Sequence, residues 1–348
     1  MTDETLKDAR PAGRRGSEAV TMEEVARVAG VSTITVSRAI SAPHKLSAAT
    51  LDKVNRAIER TGYVPNLVAG ALASSRSRLV AAAVPLISNP VYAETIHGFI
   101  APVKEAGYQV LFGESGYTES EEEALIAAVL SRRPDGILLT GVRHSARCRR
   151  MLLSAAVPVV EIWDLTQTPV DVVVGFSHEA VGETVAAFAA EHGYRAFGVV
   201  SVDDERAMVR KASFARALAR RGLGPLHDAT FPGPASLQLG RDGLSALIRD
   251  GFADGVVFCS SDVLAQGVLT EALARGLTIP GQVSVIGFGD QSFARATFPA
   301  LTTVHIDRAS MGRCAARKLL DRIRGAAVPD RVVDVGFAIV ERESTRRR

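Results

Sequence analysis

Residues 20–40 read VTMEEVARVAGVSTITVSRAI, and this stretch sets the organisation of the chain. Thr21 followed by Glu24 is a capping box, which predicts a first helix running to about Ala29. Gly30 then permits the left-handed backbone that turns the chain. Ser32 is a fresh cap, and a second helix runs to about Ile40. Val25, Val31, Val36 and Ala39 supply a small core, while Ala26 is small enough for two helices to approach. This is helix-turn-helix spacing, and it leaves Thr33, Ile34, Ser37 and Arg38 on the exposed face of the second helix. Arg38 suits the edge of a guanine, and Thr33 and Ile34 suit thymine methyl groups. Ser32, Thr35 and Ser37 are short donors suited to phosphates. An ordinary helical hairpin has the same spacing, so the pattern alone leaves both readings open.

Outward from this stretch, Pro43 breaks the second helix and Ser47 caps a third, lined by Leu51, Val54 and Ile58 and ended by Gly62. Asn66–Ala73 is Ala/Gly-rich, with little to bury, and reads as a marginal helix; Ser74–Arg78 reads as a linker. From Leu79 the character changes. Apolar runs at Leu79–Val84, Tyr108–Phe112, Gly136–Thr140, Val157–Ile162, Val172–Phe176, Phe197–Val202, Gly255–Cys259, Val283–Gly287 and Thr302–His305 alternate with helical stretches. Such alternation predicts parallel sheets covered on both faces. The expected fold is α/β: a small all-α helix-turn-helix head plus two doubly wound parallel-sheet lobes. Ligands of such lobes bind at the carboxyl ends of the strands, here across a cleft. The expected boundaries are a disordered basic tail (1–19), the head (20–64), a hinge helix and linker (65–78), the bilobed body (79–341) and a tail (342–348).

Composition narrows the classes. At 348 residues and 47% hydrophobic content, the chain can bury a core and is not disordered throughout. Its longest apolar runs, such as Leu79–Ile87, fall short of the roughly 18 residues a membrane span needs. Residues 1–19 lack an apolar signal core. Cys148, Cys259 and Cys314 are odd in number and far apart, so neither a disulfide framework nor a metal site is expected. A reduced cytoplasmic protein is the expectation. Net charge is +3, yet residues 1–78 hold twelve Lys/Arg against eight acids, and the rest holds 29 against 30. A basic head on a neutral body fits a nucleic-acid-binding module joined to a sensor.

The head then becomes recognisable. The run from Val20 to Ala29-Gly-Val-Ser32, Thr35-Val-Ser-Arg38-Ala, Ser47 and Gly62-Tyr63, with Pro65-Asn66, Ala69 and Leu72, closely resembles the head and hinge of the LacI/GalR family of bacterial repressors. Pro134-Asp-Gly-Ile-Leu-Leu139, Ser261-Asp262, Val285-Ile-Gly-Phe288 and Pro299-Ala-Leu-Thr-Thr303 extend the resemblance to the family's periplasmic-binding-protein-like core. It implies a homodimeric regulator of double-stranded operator DNA with no enzymatic activity. It also implies that Leu72 wedges the central base step, with Asn66 and Ala69 in neighbouring contact positions. Gly70, where the family often has a polar residue, lowers helicity by up to about 1 kcal/mol relative to Ala.

Gly113-Glu-Ser-Gly-Tyr117, Thr140-Gly-Val-Arg143-His144, Val160-Glu161-Ile-Trp163-Asp164 and Asp204-Glu-Arg206 look like one branch of that family, the gluconate-operon repressors (GntR). That resemblance implies a sugar acid as effector. Arg210 stands at the family's effector-binding arginine, and Arg206, four residues earlier, faces the same side. A guanidinium suits a carboxylate. Glu161 leaves a strand at its carboxyl end beside Trp163, whose ring suits a sugar face; Ser261 and Asp290 complete the candidate set. The bland alternatives are ion pairs from the arginines to Asp203, Asp204 or Glu205, and a core role for Trp163. Ser261 and Gly289 replace the Asn and Asp usual in relatives, so a neutral sugar or another metabolite remains open. An enzyme would rest on the single Gly287-x-Gly289, weak evidence with Ser292 where a third glycine belongs. His97, His144 and His178 read as ordinary core or surface residues. A transport-binding protein would not carry residues 20–73.

Overall fold

Among the described residues each α-helix of the head starts on a hydroxyl, whereas the short 3-10 turn Pro43–Lys45 starts on Ala42 without a side-chain cap. In the computed structural model, which describes residues 20–64 and 76–345, α1 (Met22–Ala29), α2 (Thr33–Ser41) and α3 (Ala48–Thr61) follow Thr21, Ser32 and Ser47. Those side chains accept from the N–H groups of Glu24, Thr35 and Thr50, satisfying donors no helix can satisfy itself. The Thr21 half of the expected capping box forms; Glu24 turns instead to Arg27 at 3.4 Å. Gly30 closes α1 at φ +66°, where a side chain would be strained. Val25, Ala26, Val36, Ala39, Val54, Ala57 and Tyr63 form the head's core. Residues 1–19 and the hinge positions Asn66, Ala69, Gly70 and Leu72 lie outside the described residues.

The chain divides into two units at Ser77/Arg78, and the second holds two six-stranded sheets. The first, ordered β11-β5-β4-β3-β1-β2, is parallel throughout. It contains β1 (Leu79–Val84), β2 (Gln109–Glu114), β3 (Gly136–Thr140), β4 (Val159–Ile162), β5 (Val172–Gly175) and the late β11 (Val332–Asp334). The second, ordered β12-β10-β9-β8-β6-β7, contains β6 (Phe197–Val202), β7 (Leu226–Phe231), β8 (Gly255–Cys259), β9 (Val283–Phe288), β10 (Thr302–His305) and β12 (Ala338–Val340). Only the β10–β12 pairing is antiparallel. Strands β4, β5, β6, β8 and β9 are buried along their whole length, as continuous apolar runs require.

The first lobe carries α4 (Ala93–Glu105), α5 (Glu119–Leu130) and α6 (Ala146–Ala155). The second carries α7 (His178–Glu191), α8 (Glu205–Arg220), α9 (Leu237–Arg249) and α10 (Asp262–Ala274). After β10 the chain returns: α11 (Arg308–Ile323) packs on α4 and on β3, β4 and β5. It therefore crosses between lobes three times, after β5, after β10 and between β11 and β12. One apolar cluster runs through both lobes, and Phe176 meets Phe288 within it at 6.1 Å between ring centres. The carboxyl end is more firmly held than a tail from residue 342 would be. Ser344 and Thr345 are fully buried, with Ser344 Oγ donating to Val285 O at 2.6 Å and Thr345 Oγ1 2.7 Å from Thr302 Oγ1. Among the described residues no helix is long and apolar enough to cross a membrane.

Candidate functional site

On the head, Val36 and Ala39 point into the core. Ser32, Thr33, Ile34, Ser37 and Arg38 are exposed, Ile34 at 64%. Thr35 is half-buried, its Oγ1 2.9 Å from Ser32 Oγ.

In the body, the loops after the strand ends of both sheets enclose a cleft of about 1230 Å³. Its chemistry centres on the first turns of α8, which Asp204 caps by accepting from Ala207 N–H at 3.1 Å. Arg206 and Arg210 leave α8 one turn apart, and both line the cleft. The Arg210 guanidinium lies 3.8 Å above the Phe288 ring centre; its Nη2 donates to Ser260 O at 3.0 Å and its Nη1 to His178 Nδ1 at 2.9 Å. Because Nδ1 accepts, the His178 proton sits on Nε2, which donates to Trp163 O at 2.8 Å. Burial, reinforced by the Arg210 cation, holds the His178 pKa well below its ordinary value, so this imidazole stays neutral. Burial also draws Arg210 down to about 10, with Asp204 opposing and Arg206 reinforcing the shift. A desolvated cation gains from an opposite charge brought beside it.

Arg206 reaches across the cleft to the first lobe, where its Nη2 donates to the Tyr92 hydroxyl at 2.6 Å. Trp163 is only 2% exposed, wedged edge-on between Tyr92 and Phe176 at 5.3 and 5.9 Å. Among the described residues four buried side-chain polar atoms have no hydrogen-bond partner, and three of them are Trp163 Nε1, Arg206 Nη1 and Arg210 Nε. Each such atom costs about 1–3 kcal/mol, so three donors from one cleft call for an acceptor with several oxygens.

The remaining candidates separate. Ser261 lines the cleft while its Oγ caps α10 by accepting from Leu264 N–H. Glu161 does not line it. Its Oε2 accepts from Val170 N–H at 2.7 Å and its Oε1 lies 3.2 Å from His144 Nε2. Asp290 does not line it either, because its carboxylate is taken by Arg342 and His305 at 2.7 and 2.8 Å. The alternative ion pairs for the arginines are not made among the described residues: Asp203 accepts from Gly233 N–H, Asp204 caps α8 and Glu205 pairs with Arg143. Sequence reasoning missed Tyr92, Phe288 and Gln291 as cleft residues and read His178 as ordinary. The available signal for His178 was its place as the first residue of a helix after a buried strand.

Known proteins agree with this architecture. The profile for bacterial regulatory proteins of the lacI family matches residues 21–66, and that for the periplasmic binding protein-like domain matches residues 186–345. The HTH-type transcriptional regulator GntR of Pseudomonas aeruginosa is 38% identical over 342 residues, covering 97% of this chain and 98% of its own. The chain belongs to the lacI family. A LacI-family transcriptional regulator from Silicibacter pomeroyi superposes with a TM-score of 0.89 at 33% identity, over 94% of this chain and 100% of the other. The transcription regulator GntR from Chromobacterium violaceum gives 0.73 at 34%, over 77% and 99%. This LacI-family chain is thus a DNA-binding transcriptional regulator, and its relatives are regulators rather than enzymes.

Proposed function

We propose that the protein is a dimeric cytoplasmic repressor that leaves a palindromic operator when a sugar acid, gluconate or a close relative, enters the cleft. The observation that carries this reading is the trio of buried, unpartnered donors on Trp163, Arg206 and Arg210. A carboxylate offers two oxygens to the guanidinium donors, and a polyol chain offers hydroxyls to Asp164, Ser261 and Gln291, which line the same cleft. The similarity to regulators named GntR supports the same class.

The head supplies the DNA side. Arg38, Thr33 and Ile34 read base edges, Ser32, Thr35 and Ser37 hold phosphates, and Leu72 of the hinge wedges the central base step, with Asn66 and Ala69 in neighbouring contact positions. The effector competes with Tyr92 for the Arg206 guanidinium and draws the lobes onto itself. A coupling of about 1–3 kcal/mol between the sites gives a 5–150-fold loss of operator affinity.

The test is Arg210→Ala, assayed on an operator duplex selected from random sequence. Wild type should release the duplex on adding gluconate, whereas the variant should bind it equally well and ignore gluconate. Release by the variant at wild-type effector concentrations would refute the role of Arg210.

A further inference from the structure

Three ligand-type side chains meet in the wall of the first lobe, apart from the arginines. Glu122 lies in the first turn of α5, His144 precedes the Ser145 cap of α6, and Cys148 lies in the first turn of α6. A carboxylate oxygen, a ring nitrogen and the sulfur all lie within 4.8 Å of one another. His144 Nδ1 is 2.7 Å from Glu122 Oε1, and its other nitrogen faces Glu161 at 3.2 Å. The side chains of His144 and Glu161 are 1% and 0% exposed, and Cys148 is fully buried.

Sulfur, imidazole and carboxylate together are the donor set of zinc and its neighbours; magnesium and calcium take oxygen alone. A metal-bound imidazole commonly donates its second N–H to a carboxylate that fixes the ring. Glu161, itself held by Val170 N–H, stands where that outer carboxylate belongs. Glu122 and His144 line the cleft, which gives an entry path and room for a fourth ligand.

We propose that Glu122, His144 and Cys148 bind a zinc-class divalent cation in the wall of the cleft, with Glu161 orienting the imidazole from behind. Without metal Cys148 is a thiol, since burial and then Glu122 push its pKa up to about 12. His144 is an imidazolium, since against the lowering effect of burial its hydrogen bonds to Glu122 and Glu161 raise its pKa to about 9. Coordination releases the thiol proton and the Nδ1 proton to solvent and leaves the Nε2 proton donated to Glu161. The proposal does not depend on the effector's identity.

The test uses the full chain, stripped with a chelator and titrated with cobalt(II), then with zinc(II). Wild type should take up one cobalt per chain with a thiolate-to-cobalt charge-transfer band, and zinc should bleach it. Cys148→Ser should abolish the band, Cys259→Ser and Cys314→Ser should keep it, and Glu161→Gln should weaken affinity about 10–100-fold. His144→Gln, which leaves the thiol in place, should abolish the band as well and replaces Cys148→Ser should that variant not fold. Absence of the band in wild type, or its survival in Cys148→Ser and His144→Gln, overturns the proposal.

Discussion

Asp262 opens α10 beneath the cleft floor and is wholly buried, its carboxylate accepting from Thr303 Oγ1 at 2.5 Å and from Gln291 N–H at 2.6 Å. Burial outweighs those hydrogen bonds and raises its pKa from 3.8 to about 6. The folded chain therefore holds this proton more tightly than the unfolded one. Its contribution to stability is complete below about pH 3.8 and is lost as pH rises through about 6. The loss is on the order of 3 kcal/mol. Relative to wild type, Asp262→Asn should thus gain ground between those two values in chemical unfolding; a stability difference independent of pH there would contradict the assignment. At this scale legibility depended on direction. Arg210 was singled out by the resemblance to the family's effector-binding arginine, and the four-residue spacing on a helix then put Arg206 on the same face. Glu161 was misread because a strand alternates: it points with Val159 toward the cluster that holds Cys148 and Leu152, while Val160 and Ile162 face the other core. Asp290 could not be read, since its partner Arg342 stands 52 residues away.

Helix α8 carries the arginines, and its seat on α7 is set by Gly182. A Cβ there would run into the backbone of Arg210 and Phe214. Gly182→Ala should cost about 1–3 kcal/mol of stability and, by shifting Arg210 away from His178, also weaken effector binding. Urea unfolding and effector titration of the same variant check both, and unchanged values for both would show that the helices part freely. The strands illustrate what an apolar run reveals. Strands β4, β5, β6, β8 and β9 are covered on both faces and announced themselves. Strand β7 did not: its Leu-His-Asp-Ala-Thr-Phe lies at a sheet edge with only Ala229 fully buried, so nothing in its composition separates it from a loop. The antiparallel β12 was missed because one exposed and two half-buried residues are too few to carry a period.

Across the whole molecule, a head that reads DNA is joined to a cleft that reads a metabolite. The head and the two-lobed plan were legible because capping hydroxyls, a turn glycine and alternating apolar runs are local signals. The cleft was legible in its arginines but not in Tyr92, which only the meeting of two lobes brings beside Arg206, nor in Phe288, which the fold of the second lobe brings beneath Arg210 from the end of a distant strand. The hinge belongs to this scale as well: Leu72→Ala should weaken binding to a selected operator far more than binding to random duplex, measured by fluorescence anisotropy. Equal losses would remove the wedge. Selection of a carboxylate by Arg206, Arg210 and Trp163 is the property on which the proposed role of the cleft rests. Calorimetric titration of the full chain with gluconate and, in parallel, with glucose checks it without intermediate steps. Saturable gluconate binding at one per chain, with no heat from glucose, is the expected result. Binding of the neutral sugar with no response to gluconate would contradict it.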